Sequence, residues 1–275
     1  MNNNNNNNKV AIITGASKGI GRSTALKFAA NNYNVALVGR TQEELDHLKL
    51  EIEQKYGTAA FVFAGDLANE AFLKQIVVDT VKKWGRIDTL INNAAWRTIE
   101  TMRTISLQTW EKTIRVCLTA PAFLAKYVAA VMEELNIEGV IINISSVMSH
   151  RAGGNSPAYI ACKGGLESLT FELAVLYGPK NIRVVSVNPG NIKTDLSNDY
   201  KDAEGNNISE RLEEHMNENT PLKRAGTSEE IANVSYWLST AEASFITGTT
   251  ILVDGGFFHN FNSYNMKKLT YPKEF

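Results

Sequence analysis

Residues 10–21 read Val10-Ala11-Ile12-Ile13-Thr14-Gly15-Ala16-Ser17-Lys18-Gly19-Ile20-Gly21. A short apolar run stops at a glycine cluster, and a helix-period stretch follows. Glycines at this spacing let the turn bend tightly and let the backbone approach a bound pyrophosphate. The following helix start offers N–H donors and a positive dipole end. A tight turn without a ligand has the same local pattern, so the rest of the chain must decide.

Six further apolar runs follow the first: Asn34–Gly39, Ala59–Ala64, Ile87–Ile91, Gly139–Ile144, Ile182–Val187 and Thr249–Val253. They are continuous rather than alternating, as expected of strands buried on both faces of a parallel sheet. Helix-period stretches lie between them: Ile20–Ala30, Glu43–Tyr56, Glu70–Trp84, Gln108–Leu135, Ala158–Tyr177 and Ser228–Leu238. This alternation predicts an α/β fold, a doubly wound Rossmann-type sheet of seven parallel strands in one domain. A length of 275 residues corresponds to roughly 1.8 domains at ~150 residues each. No linker separates two, so we read one domain over residues 9–256. Residues 195–222 interrupt the last strand–helix unit as a candidate lid. Residues 257–275 form a C-terminal extension. Residues 1–8, Met1 followed by the asparagine run of residues 2–8, lack apolar periodicity and are expected to be disordered.

Composition narrows the function classes. The chain carries 28 basic and 29 acidic residues, with a formal net charge of −1, so binding nucleic acid by bulk charge is not expected. No apolar run approaches the ~18–20 residues of a membrane span. Cys117 and Cys162 cannot form a disulfide framework, and no metal-type Cys/His spacing occurs. With no signal peptide visible, the expected setting is reducing and cytoplasmic.

Two further features point to chemistry. The second apolar run ends at Gly39-Arg40-Thr41, where an NAD site usually carries an acid for the ribose 2′-hydroxyl. Arg40 offers two forked donors to a 2′-phosphate instead, and Lys18 adds a second cation. A solvated surface arginine is the alternative. Tyr159 and Lys163 stand at i and i+4 on one helix face. A cation beside a phenol stabilises the phenolate and makes the group usable as an acid and base. Ser146, just past the fifth run, can bond the same substrate oxygen. Alone, such a pair is more often a surface contact.

Together these elements resemble the short-chain dehydrogenase/reductase family. The resemblance runs from Lys9 to Gly256. It rests on Gly15-x-x-x-Gly19-x-Gly21, Asp66-Leu67, Asn92-Asn93-Ala94, Ser145-Ser146, Tyr159-x-x-x-Lys163, Asn188-Pro189-Gly190 and Val253-Asp254-Gly255-Gly256. It implies an oxidoreductase with Tyr159 as acid/base, Lys163 holding the nicotinamide ribose, and Ser146 positioning the substrate oxygen. The glycine loop (Gly15, Ser17, Lys18, Gly19, Ile20, Gly21) would hold the pyrophosphate. Asp66 and Leu67 would flank the adenine, with Asn92 and Ala94 beside the adenosine half. Pro189, Gly190, Ile192 and Thr194 would hold the nicotinamide end. Arg40, Ser17 and Lys18 match the NADP-preferring branch, so NADP(H) is the expected cofactor.

Two positions depart from the family pattern. Ala95 replaces a common glycine. Cys117 stands where the family commonly has an asparagine that holds a relay water, and a thiol is a weak donor and acceptor. A slower or rerouted proton relay is therefore expected.

For the substrate pocket we single out Trp96, His150, Tyr200 and Met216, with Leu196, Leu212 and Arg151 nearby. The expected substrate is a small, neutral alcohol or carbonyl compound. A 3-oxoacyl-(acyl-carrier-protein) reductase is the competing reading. No Lys or Arg lies between Lys126 and Arg151 to dock that acidic partner. An NADP-binding sensor or scaffold without turnover is the alternative of another class. The family resemblance and apolar positions such as Phe123 and Phe171 predict a homo-oligomer, most simply a homotetramer or homodimer. Six aromatics between Phe257 and Phe275 predict that the extension packs, either across a subunit boundary or over the substrate mouth, with packing on its own subunit as the alternative.

Overall fold

The computed structural model describes residues 8–194, 200–201 and 205–274. Leu196, nearly all of the asparagine run, part of the candidate lid and Phe275 lie outside the described residues.

Seven strands form one parallel sheet: β1 (Val10–Thr14), β2 (Asn34–Gly39), β3 (Ala60–Ala64), β4 (Thr89–Asn92), β5 (Val140–Ile144), β6 (Arg183–Pro189) and β7 (Thr249–Val253). Their spatial order is β3-β2-β1-β4-β5-β6-β7. β1 is thus flanked by β2 and β4, and the chain reverses its direction of travel there. That switch point opens a crevice at the carboxyl ends of the strands, where such sheets bind ligands. The expected fold class holds, and the strand ends shift by a residue or two.

The helices are α1 (Gly19–Ala29), α2 (Gln42–Tyr56), α3 (Glu70–Trp84), α4 (Leu107–Ile114), α5 (Ala120–Glu134), α6 (Pro157–Tyr177), α7 (Ser209–Asn219), α8 (Ser228–Leu238) and α9 (Tyr264–Thr270). One face of the sheet is covered by Phe28 of α1, Leu45 and Ile52 of α2, and Ile231 of α8. The other is covered by Leu73 and Ile76 of α3, Leu124 and Val128 of α5, and Leu173 of α6. Both faces are closed, which is why the strands read as continuous apolar runs.

The single helix expected over Gln108–Leu135 is not uniform. Residues Arg115–Thr119 form a π-helical turn between α4 and α5, with Ala120 N–H donating to the Arg115 carbonyl. One extra residue in the turn rotates Cys117 inward, where it is 1% exposed. Sequence periodicity does not register a single inserted residue. Among the described residues this helical stretch, 107–134, is long and apolar enough to span a membrane by length and composition, against the expectation of none. Its apolar character belongs to the core contact made by Leu124, Val128 and Met132, all fully buried.

The extension packs on its own subunit. Arg151 donates to the carbonyls of Phe257 and Phe258 and lies 4.5 Å from the Phe257 ring centroid. Asn260 donates to the Asn219 carbonyl at the end of α7, and Lys223 lies over Tyr264. Phe261 stands 96% exposed on this chain.

Candidate active site

The glycine loop is built by close approach. Gly15 has a φ of +67°, and a Cβ on Gly21 would stand 2.0 Å from the Gly15 carbonyl oxygen. Only glycine fits there, so α1 begins directly against the loop. Asn93 fixes the loop from the other side of the switch point. Its side-chain amide donates to the Thr14 and Gly15 carbonyls, and Thr14 Oγ1 accepts from the Asn93 and Ala94 N–H groups.

No side chain caps the start of α1, and its first turn holds no acid. Its N–H groups and dipole therefore face the crevice without a built-in anion. These features fit the pyrophosphate of a dinucleotide. A Cβ on Gly19 would lie 3.3 Å from Thr194 Cγ2, so the glycine loop and the segment after β6 face each other across the crevice. Gly226 bonds the backbone of Asn191 and Lys193 and packs against Ile192. That holds Ile192 and the segment beyond Pro189 and Gly190 in place.

The side expected to hold the adenosine half is less uniform. Arg40, exposed past β2, lies with its guanidinium carbon 5.2 Å from the Trp96 ring centroid, and Lys112 Nζ lies 3.7 Å from the same ring. Lys18 pairs with Glu44 at 3.2 Å. Desolvation pushes the Glu44 carboxyl up, but hydrogen bonds from Lys18 and Ser17 hold it below its ordinary range. Asp66 is exposed past β3, and Leu67 is buried beside it. The Asn92 side chain turns inward instead, donating to Asn143 at 2.9 Å and to the Pro121 carbonyl. Any contribution of Asn92 to a ligand would come through its backbone.

Ser146, Tyr159 and Lys163 are brought to one end of the sheet. Ser146 follows β5 and its Oγ accepts from Met148 N–H at 3.1 Å. Lys163 is buried on α6, and its Nζ donates to the Ile144 carbonyl at 2.6 Å. The same nitrogen lies 5.3 Å from the Tyr159 ring centroid. Ser145 Oγ donates to the Lys163 carbonyl, which ties α6 to β5. A phenol, an ammonium and a hydroxyl so fixed can exchange a proton with a substrate oxygen.

Cys117 and Trp96 are linked in a way the sequence did not signal. Trp96 N–H donates to Cys117 Sγ at 3.1 Å, and the thiol points back to the Trp96 carbonyl at 3.4 Å. Burial pushes the Cys117 thiol above its ordinary value, so it stays protonated as a donor. Trp96 packs against the small cluster formed by Cys117, Tyr159 and Cys162. His150 is engaged by Glu167 at 2.6 Å. Tyr200 stacks under Arg97, and Met216 is half-buried on α7. Glu167, buried four residues beyond Lys163, was not singled out from sequence. Its signal was a lone acid on the apolar face of α6.

A cavity of about 710 Å³ lies at the opposite strand ends, among Arg86, Asp88, Gly139 and Arg183. It is remote from this chemistry.

A family model described as enoyl-(acyl carrier protein) reductase matches residues 15–258. The chain belongs to the short-chain dehydrogenase/reductase family. It is 32% identical over 249 residues to glucose 1-dehydrogenase 2 of Bacillus subtilis, covering 90% of this chain and 94% of that one. It is 34% identical to a probable 2,4-dienoyl-CoA reductase of the same organism, covering 90% and 96%. Among solved structures it superposes on levodione reductase with a TM-score of 0.87 and 29% identity, over 92% of this chain and 98% of that one. This short-chain dehydrogenase/reductase is accordingly an oxidoreductase, and its family works with nicotinamide cofactors.

Proposed function

We propose that the protein interconverts a secondary alcohol and a carbonyl on a small, neutral substrate with NADP(H). The observation that carries this is the meeting of Ser146, Tyr159 and Lys163 with an uncapped helix start at one end of the sheet. When bound, the nicotinamide supplies or accepts the hydride. Tyr159 passes the proton to or from the substrate oxygen. Lys163, anchored on Ile144, places positive charge beside that phenol. Ser146 donates to the same oxygen. Trp96, packed against the cluster that contains Tyr159, helps exclude water.

The choice of NADP rests on Arg40 past β2, where no acid stands, and on Lys18. Asp66 and Leu67 would flank the adenine, and Pro189, Gly190, Ile192 and Thr194 the nicotinamide. Tyr200 and Met216 would face the substrate. A neutral substrate is favoured by the absence of Lys and Arg between Lys126 and Arg151. The names of the glucose dehydrogenase and levodione reductase relatives point the same way. An acyl-carrier or CoA substrate is the second reading, supported by the family model's description and the dienoyl-CoA reductase relative.

The apolar outer residues of α5 and α6 support a homotetramer: Phe171 is 43% and Leu176 58% exposed. Two buried, unpaired cysteines suit a reducing, cytoplasmic setting.

The deciding experiment is NADPH and NADH oxidation with sugars, cyclic diketones and a 3-oxoacyl thioester. Turnover of a neutral ketone with NADPH supports the proposal. Turnover of the thioester alone moves the protein to the second reading.

A further inference from the structure

Glu167 carries more of this site than the helix face it occupies. It stands on α6 four residues past Lys163 and eight past Tyr159, so the three share one side of the helix. It is 2% exposed. Burying a carboxylate is costly unless its oxygens are satisfied, and here three donors converge on two oxygens. Ser149 Oγ lies 2.5 Å from Oε1, and the Asn188 side-chain amide donates to that same oxygen. His150 Nε2 lies 2.6 Å from Oε2.

Those three groups come from two separate places, the turn after β5 and the end of β6. Ser149 and His150 belong to the turn that begins at Ser146. Ser149 N–H donates to the Ser146 carbonyl, and its hydroxyl lies 2.6 Å from that oxygen. Asn188 is the next-to-last residue of β6, just before the segment that runs through Gly190 to Thr194. Ser186 donates to the Asn188 carbonyl oxygen of the side chain at 3.0 Å, which turns its amide nitrogen toward Glu167. That nitrogen also reaches Ser149 Oγ at 3.2 Å. The outer end of the network reaches the extension, where the His150 and Phe258 rings meet edge to face at 6.0 Å.

We infer that Glu167 is a positioning residue, a buried staple that fixes the Ser146 turn relative to the Asn188–Thr194 segment. The inference rests on the proposed NADP(H) reaction. In that reaction Ser146 orients the substrate oxygen and the 188–194 segment holds the nicotinamide. Hydride transfer needs both at one fixed separation, and a misplacement of ~1 Å costs on the order of 10²-fold in rate. Lys163 and Tyr159 sit on the helix that carries the staple, so all parts share one reference frame.

The test uses Glu167→Gln in the full chain. Glutamine keeps the volume but replaces one acceptor with a donor, so either Ser149 and Asn188 lose their acceptor or His150 must change tautomer to accept at Nε2. The adenosine half of the cofactor is gripped elsewhere, at the glycine loop and Arg40. We expect NADPH affinity within about threefold of wild type, and turnover per bound cofactor lowered about 10-fold or more. The fluorescence enhancement of the bound dihydronicotinamide should be largely lost, because its ring is no longer held. Glu167→Asp, which keeps the charge on a shorter arm, should recover part of both. Glu172→Gln, on the exposed side of the same helix, should match wild type.

If Glu167→Gln fails to fold, His150→Gln removes only the arm whose side chain is 57% exposed. It should show the same fluorescence loss in weaker form. A variant with wild-type fluorescence and wild-type turnover per bound cofactor overturns the inference. So does one that merely binds cofactor in a smaller fraction of molecules, since that marks a purely structural role. Tyr159→Phe separates the underlying reading. Wild-type turnover in that variant, or no NADPH binding by the wild type, removes the proposed reaction whatever Glu167 does.

Discussion

Lys163 Nζ donates to the carbonyl oxygen of Ile144, the last residue of β5, at 2.6 Å. The ammonium is thereby fixed to the sheet rather than carried on a free side chain. Its place beside Tyr159 follows from the backbone of β5, which also delivers Ser146 two residues later.

Tyr159→Phe removes the phenol beside Lys163 and leaves the cofactor-binding segments intact. We expect kcat/KM to fall by ~10²-fold or more, the usual scale of a lost general acid, with NADPH affinity nearly unchanged. Steady-state kinetics together with a binding titration check both halves.

Arg40 lies over Trp96, whereas Lys18 is engaged by Glu44. Arg40 should therefore contribute most to a 2′-phosphate contact. Losing a charge-assisted bond costs roughly 1.5–3 kcal/mol, or about 10- to 150-fold in affinity. Arg40→Asp should reverse the cofactor preference. Equal wild-type affinity for NADP and NAD would remove this assignment.

Cys117 bonds both backbone groups of Trp96. Asparagine also offers a donor and an acceptor, so Cys117→Asn should keep the Trp96 segment in place, and kcat should rise if a relay water limits the rate. Cys117→Ala breaks both contacts and should raise KM and lower Tm. Equal KM and Tm in wild type and Cys117→Ala would show that the segment is held by other contacts.

Cys162 is fully buried, and burial, with Cys117 beside it, pushes its thiol up to about 12 from 9.0. Between those values the unfolded thiol has lost its proton and the folded one has not. The folded state then binds more protons, so this contribution to stability is complete below pH 9.0 and is lost as pH rises toward about 12. Tm should decline above pH 9, and Cys162→Ala should decline less steeply. Parallel alkaline slopes for the two proteins would assign the loss to other groups, such as the buried Tyr33, whose hydroxyl is also pushed up by burial.

Phe171 and Leu176 stand exposed on α6. If they meet a neighbouring subunit, charged residues there leave unpaired charge in an apolar contact. Phe171→Lys with Leu176→Lys should lower the mass seen by light scattering from tetramer toward monomer. A wild-type monomer at micromolar concentration would contradict the proposed assembly.

The sequence by itself determined the seven strands, their parallel order of use and the glycine turn, because each is written in local pattern. Continuous apolar runs mark strands covered on both faces, and only glycine tolerates the approach at Gly21. Tyr159 and Lys163 were legible because their i, i+4 spacing is itself the geometry. The rest depended on contacts between segments far apart in the chain. The π turn at Arg115–Thr119 changes no composition, yet it turns Cys117 onto Trp96. The inward turn of Asn92 was decided by Asn143, fifty-one residues away. Glu167 looks from sequence like any acid on a helix. Only the fold brings Ser149, His150 and Asn188 to its carboxylate, because burial and hydrogen-bond partners are set by which strands become neighbours.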